Sequence, residues 1–214
     1  MSKTIEILGI NINCINSKEA LRKVNTLSGK EPLAIVEIIT SEELLSLEES
    51  RELKAEMKTF DLVLAGDKGL LEAVSLAEER YLPLLLRQLQ RNHSRVFVLA
   101  NNEGECREFA EYLRKDYGIV SLAGAAVLSA EHRDDDLLVN AINGSDVDCV
   151  LSVLASPLQE DFIVNNKKSL NAKLWLGTGD AYQKMDREER GIGKLTAFIK
   201  QRIFKKKIGD STPE

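Results

Sequence analysis

Short apolar runs alternate along the chain with longer stretches in which apolar residues return every three or four positions. The runs fall at 5–8, 33–39, 62–65, 96–100, 119–122, 149–154 and 173–176. Most are continuous rather than alternating, which is the pattern of strands covered on both faces. Helical periodicity fills the intervals at 18–27, 42–59, 70–89, 103–117, 135–143 and 157–165, with Pro83 a potential break in the third of these. That order predicts an α/β fold, a three-layer Rossmann-like α/β/α sandwich around a mostly parallel sheet. Ligands of such sheets bind outside the carboxyl ends of the strands. Chemistry is therefore expected in the loops 40–43, 65–69, 100–104, 155–159 and 177–181.

Composition adds limits rather than a new picture. The chain has 214 residues, 43% apolar and 29% charged, the balance of an ordinary globular domain. Four scattered prolines provide no linker that would divide it. No apolar run approaches the ~20 residues of a membrane-spanning helix, and Glu6 interrupts the first apolar stretch, so the start does not read as a signal peptide. Cys14, Cys106 and Cys149 are far apart, and with only His93 and His132 beside them they form neither a zinc spacing nor a disulfide framework. A cytoplasmic protein is expected.

Charge does change the picture. Between Lys194 and Ile208 stand six basic residues and no acidic one, so a chain of net charge −5 carries −11 on its remainder. The expected organisation is an α/β body over 1–193 and a basic amphipathic C-terminal helix and tail over 194–214.

Several local patterns offer chemistry, each with a plain structural reading beside it. Gly177-Thr178-Gly179 opens like a dinucleotide fingerprint, but Tyr182 stands at the third glycine and the strand before it is the last, not the first. Gly193-Lys194 lacks the rest of a P-loop. The acids Asp134, Asp135 and Asp136 read as a helix start favoured by the dipole rather than a metal site. Thr40 and Glu43 form the capping box T-x-x-E, although a hydroxyl there could also contact a substrate. Ser156-Pro157-Leu158-Gln159 forms S-x-x-Q with proline at the first helical position, and the N–H groups of that helix start could hold a diphosphate as well. In Gly66-Asp67-Lys68-Gly69 two glycines allow close approach to a ligand and Asp67 is a candidate base; a tight turn with a surface acid is the alternative.

Taken in order, these pieces resemble the WecG/TagA/CpsF family of bacterial glycosyltransferases. Ile7-Leu8-Gly9-Ile10-Asn11-Ile12 followed by Glu19-Ala20-Leu21 resembles the family's opening stretch and its "EAL" helix. Thr40-Ser41-Glu42-Glu43 stands where the family has T-P-N-P-E, and Phe60 to Gly69 where it has A-D-L-V-L-P-D-G-x-G. Arg95 to Leu99 resembles "R-V-F-L-L-G", Ala155 to Glu160 "G-x-P-K-Q-E", and Gly177 to Gln183 "G-V-G-G-x-F-D". Ungapped, Gly66 meets the family's aspartate and Asp67 falls one place later.

The resemblance implies transfer of N-acetylmannosamine or a related sugar from a UDP-sugar to an undecaprenyl-diphosphate-linked acceptor, in teichoic-acid or other cell-surface polysaccharide synthesis. It implies an inverting enzyme with no metal or cofactor besides the UDP-sugar donor, peripheral to the inner face of the cell membrane. Catalytic candidates are Asp67, as base, and Thr40. Substrate-binding candidates are Gly66, Gly69, Ser156, Gln159, Gly177, Gly179 and Arg202. An anionic membrane surface is the expected partner of the C-terminal helix and nucleic acid is not expected; a homo-oligomer is compatible with the sequence. One alternative is a catalytically inactive relative that binds nucleotide-sugar or a partner protein in a wall-polymer complex. Another is an α/β interaction protein whose basic helix meets a protein or nucleic acid.

Overall fold

A computed structural model describes residues 3–29, 33–119, 121–131 and 133–183. The chain starts with an antiparallel hairpin, β1 (Thr4–Ile7) and β2 (Ile10–Asn13). Ile7 pairs with Ile10, so Leu8 and Gly9 form a two-residue turn, both at positive φ (51° and 85°), which suits the right-handed twist of the strands. Asn13 hooks the hairpin to the body by accepting a hydrogen bond from the Val63 N–H at 2.8 Å.

The body follows the predicted alternation: α1 (Ser17–Leu27), β3 (Ala34–Ile39), α2 (Ser41–Ser46), α3 (Arg51–Met57), β4 (Leu62–Ala65), α4 (Lys68–Ala73) and α5 (Tyr81–Arg91). It continues with β5 (Val96–Ala100), α6 (Glu103–Tyr117), β6 (Leu122–Val127), α7 (Asp135–Gly144), β7 (Cys149–Ser152), α8 (Leu158–Asn166) and β8 (Leu174–Gly177). The six strands β3 to β8 form one parallel sheet in the order β4-β3-β8-β7-β5-β6. Helices cover it, and the central strands are buried along their whole length. The α/β sandwich is thus the observed fold. Trp175 on β8 is fully buried and stacks on Phe162 of α8 at 5.7 Å between ring centres.

Four expectations shift. The helix expected over 42–59 is two helices, because the chain turns at Leu47 to Ser50, where the Lys54 ammonium donates to the carbonyls of Glu48 (2.8 Å) and Leu8 (3.1 Å). The helix expected over 70–89 breaks well before Pro83, which sits in the first turn of α5, where no N–H is required of it. The strand expected at 119–122 lies instead at Leu122–Val127, a small-residue edge strand only partly covered. The hairpin was legible only as its first strand. The expected basic helix, with Arg202, lies outside the described residues. No described helix is long and apolar enough to cross a membrane.

Candidate functional site

Parallel pairing brings the carboxyl ends of neighbouring strands level. Ile39 pairs with Ala65 and Glu37 with Gly177, so the loops after β3, β4 and β8 leave the sheet side by side. Gly66 follows β4 and its N–H donates to the Ile39 carbonyl at 2.7 Å; a Cβ there would stand 2.9 Å from that oxygen. The loop after β7 is tied to the loop after β5 through Asn101, whose amide donates to the Val153 carbonyl (3.2 Å) and accepts from the Ala155 N–H (2.9 Å), and the loop after β8 joins the end of β7 through the Thr178 N–H to the Ser152 carbonyl (2.8 Å).

A cleft of about 570 Å³ opens at this edge, its wall including Ala65, Gly66, Asp67, Leu71, Arg80 and Ala181. Its size suits a small-molecule site. A smaller cavity of about 320 Å³, bordered by Val24, Leu85, Asp148 and Lys173, opens at the opposite, amino end of the strands, where sheets of this kind do not bind their ligands.

Asp67 caps α4, accepting from the Leu70 N–H at 3.0 Å. It also accepts two hydrogen bonds from Ser41, from the N–H to Oδ2 (2.8 Å) and from the hydroxyl to Oδ1 (2.7 Å). Thr40 is fully buried, and the capping box is complete: Glu43 accepts from the Thr40 N–H (2.7 Å) and hydroxyl (2.8 Å). The hydroxyl of Thr40 therefore faces its own helix. Glu43 reaches further, accepting from the Asp180 N–H at 2.8 Å. Gly179, at φ +40°, lies so close to the Glu43 carboxylate that a side chain there would collide with it.

Glu37 does the same one layer below. Buried in β3, it accepts from Gln159 Nε2 (2.8 Å) and Trp175 Nε1 (2.9 Å), and a Cβ at Gly177 would occupy its carboxylate. Glu160, also buried, accepts from the Ser156 hydroxyl at 2.6 Å; its second oxygen and Gln159 Oε1 have no hydrogen-bond partner among the described residues. Burial, then the charge of Glu160, holds the Glu37 carboxyl well above the usual carboxylate range. Burial pushes Glu43 up to about 8 despite its three donors, and burial raises Glu160 as well.

The expected capping box at Ser156 is not formed. α8 has no side-chain cap, Ser156 donates to Glu160, and Gln159 turns inward to Glu37, because two buried carboxyl groups offer these side chains stronger acceptor partners than the helix end offers as donors. Gly69 is buried in the first turn of α4. Asp134 caps α7 through the Leu137 N–H, and Asp135 binds Arg133 and Asn166. So Gly66 and Asp67 line the cleft, Gly69 is buried in α4 beside it, and Thr40, Ser156, Gln159, Gly177 and Gly179 lie around the buried glutamates.

Glu37, Trp175 and Asn101 acquire roles that no motif announced, although Glu37 stands out as a charged residue inside the apolar run 33–39; Ser41 and Glu160 lie inside family-like stretches that did not announce their partners.

A search among curated proteins returns no match. The family model described as glycosyl transferase WecG/TagA/CpsF family matches residues 5–185. Since that match spans the hairpin, the whole parallel sheet and every loop at its carboxyl edge, the chain belongs to the WecG/TagA/CpsF family of glycosyltransferases.

Proposed function

We propose that the chain transfers N-acetylmannosamine or a related N-acetylhexosamine from a UDP-sugar to a polyprenyl-diphosphate-linked acceptor. The observation that carries this reading, within a glycosyltransferase family, is the cleft at the sheet's carboxyl edge with the Asp67 carboxylate in its wall. In the proposed inverting step Asp67 takes the proton of the acceptor hydroxyl. The hydroxyl oxygen attacks the anomeric carbon, and the bond from that carbon to UDP breaks on the opposite face. The leaving diphosphate calls for N–H groups and cations. The N–H groups of Ala155, Gln159 and Thr178, in the loops expected to serve, are taken by Asn101, Ala155 and Ser152, and the described cleft wall holds Asp67, Glu72, Glu78 and Glu79 against Lys68 and Arg80. Arg202 and the lysines Lys205, Lys206 and Lys207 bring charge of the missing sign. In this reading the same basic stretch meets anionic lipid, so that enzyme and lipid-linked acceptor share one surface.

One observation favours a second reading, a relative that binds nucleotide-sugar without turnover: Asp67 caps α4 and both its oxygens already accept from protein donors, as in a structural carboxylate. A thermal-shift panel of UDP, UDP-N-acetylhexosamines and unrelated nucleotides, followed by a UDP-release assay with lipid-linked acceptor, separates the two. Selective stabilisation by uridine ligands with acceptor-dependent UDP release supports the enzyme. Stabilisation without release supports the binding relative, and no selective shift overturns both.

A further inference from the structure

A helix cap needs one hydrogen bond, and Asp67 makes it within α4 through the Leu70 N–H. The two bonds from Ser41 add nothing to that helix. They come from a residue 26 positions away and reach both carboxylate oxygens at once, N–H to Oδ2 and hydroxyl to Oδ1. The cap holds Oδ1 alone and leaves the carboxylate able to rotate about its last torsion, whereas the Ser41 pair grips both oxygens from one residue and so fixes the plane, its hydroxyl bond being the shortest of the three.

The sheet makes this bracket rigid. Ile39 and Ala65 are partners in the β3–β4 ladder, so Ser41 and Asp67 each stand two residues beyond the last paired position. The Gly66 N–H to Ile39 carbonyl bond, at 2.7 Å, continues the ladder between them. Ser41 is itself nearly buried and follows Thr40, whose N–H and hydroxyl are both tied to Glu43. Glu43 in turn holds the Asp180 N–H of the loop after β8. One turn of chain at the end of β3 thus braces the carboxylate on one side and the neighbouring loop on the other.

We propose that Ser41 is a positioning residue, whose hydroxyl and N–H fix the plane of the Asp67 carboxylate in the cleft wall for proton transfer from the acceptor. This rests on the reading of Asp67 as base given above. A base that must meet a hydroxyl during an in-line displacement depends on the direction its oxygens present, and a misplacement of about 1 Å can cost on the order of 10²-fold in rate. Asp67→Ala would not separate this role from capping; changes at Ser41 do.

The test compares full-length wild type with Ser41→Ala, which keeps the N–H and loses the hydroxyl, Ser41→Thr, which keeps both donors, and Ser41→Cys, which keeps the size with a weak donor. Turnover is read with UDP-N-acetylmannosamine and a polyprenyl-diphosphate-linked acceptor, and UDP affinity by titration. The expected result for Ser41→Ala is a kcat lower by about 10- to 100-fold, with donor KM and UDP Kd within about threefold of wild type. Ser41→Thr should restore most of the rate and Ser41→Cys should fall between; that order supports the proposal even if Ser41→Ala fails to fold. An active wild type with Ser41→Ala or Ser41→Cys at full kcat overturns the role of Ser41 alone. So does equal impairment of the Thr and Ala variants, or a rate loss carried wholly by KM. A wild type that releases no UDP overturns both this proposal and the function beneath it.

Discussion

Asp67 has one observed job, capping α4, and one proposed job, as base, and substitution can tell them apart. Replacing it with Asn keeps the size and one acceptor oxygen, but Ser41 and Leu70 then compete for that oxygen. Asp67→Asn should lower stability by about 1 to 2 kcal/mol and turnover by on the order of 10² to 10⁴-fold, with UDP affinity kept; denaturant melts and steady-state kinetics read the two effects. Full turnover in a destabilised variant would leave only the cap. The buried glutamates give a second expectation at this scale. Glu43, Glu37 and Glu160 all hold their protons to higher pH in the folded chain than a free carboxyl does. The unfolded chain releases those protons near pH 4 to 5, and the folded chain releases the one on Glu43 at about 8. The stability they contribute is therefore complete below the unfolded value and is lost as pH rises through the folded one. Between pH 5.5 and 8.5 the midpoint of thermal unfolding should fall by roughly 5 to 10 °C, since 1 kcal/mol shifts a chain of this size by about 2 to 4 °C. Glu160→Gln removes one buried charge and should flatten that decline; a midpoint that rises with pH across this range would refute the account.

Among the elements, the tether between α8 and β3 bears on both fold and function. Gln159 Nε2 donates to Glu37 across 122 residues of chain, and nothing else in α8 reaches that carboxyl by a hydrogen bond among the described residues. Gln159→Ala should cost about 1 to 3 kcal/mol, because a buried acceptor loses its donor. Gln159 is itself buried, so its effect on UDP affinity should come through the position of the 155–159 loop rather than through direct contact. A modest loss of affinity alongside the loss of stability is expected, read by titration and denaturant melts on the same preparation. An undiminished stability would show that Glu37 finds another partner at no cost.

The whole molecule presents a division of charge. The stretch from Lys194 to Ile208 is positive throughout while the remainder carries a large excess of acid. Near an anionic leaflet each such cation contributes about 1 kcal/mol, and the apolar Leu195, Phe198, Ile199 and Ile203 can add burial. Full-length protein should sediment with phosphatidylglycerol vesicles at low salt, leave them as salt rises, and lose binding when truncated after Gly193. Equal recovery of both forms in the supernatant at low salt would end the membrane proposal.

How far the sequence reached depends on how local each determinant is. The period of apolar residues reports which faces are covered, so it gave the α/β order, the parallel sheet and the loops that matter, and Thr40 with Glu43 announced its own capping box. Capping is a matter of four consecutive residues, whereas the need for glycine at position 66 comes from the Ile39 carbonyl on the neighbouring strand. The pattern at Ser156 and Gln159 is the same and resolves otherwise, because Ser156 finds the Glu160 carboxyl four residues on while Gln159 finds Glu37 only through the way α8 lies over β3. Gly177 and Gly179 read as room for a phosphate, yet in the fold the nearest occupants are the carboxylates of Glu37 and Glu43. Ser41 stands in a family-like stretch, but nothing there points to Asp67, since that link exists only once β3 and β4 pair in register. Local chain chemistry thus determined the elements, their caps and the near partners of Glu43 and Glu160, whereas tertiary packing decided the partners of Glu37 and the link from Glu43 to Asp180. An unpaired carboxyl in an apolar interior is too costly to leave, and the donors that meet it come from wherever the sheet brings them.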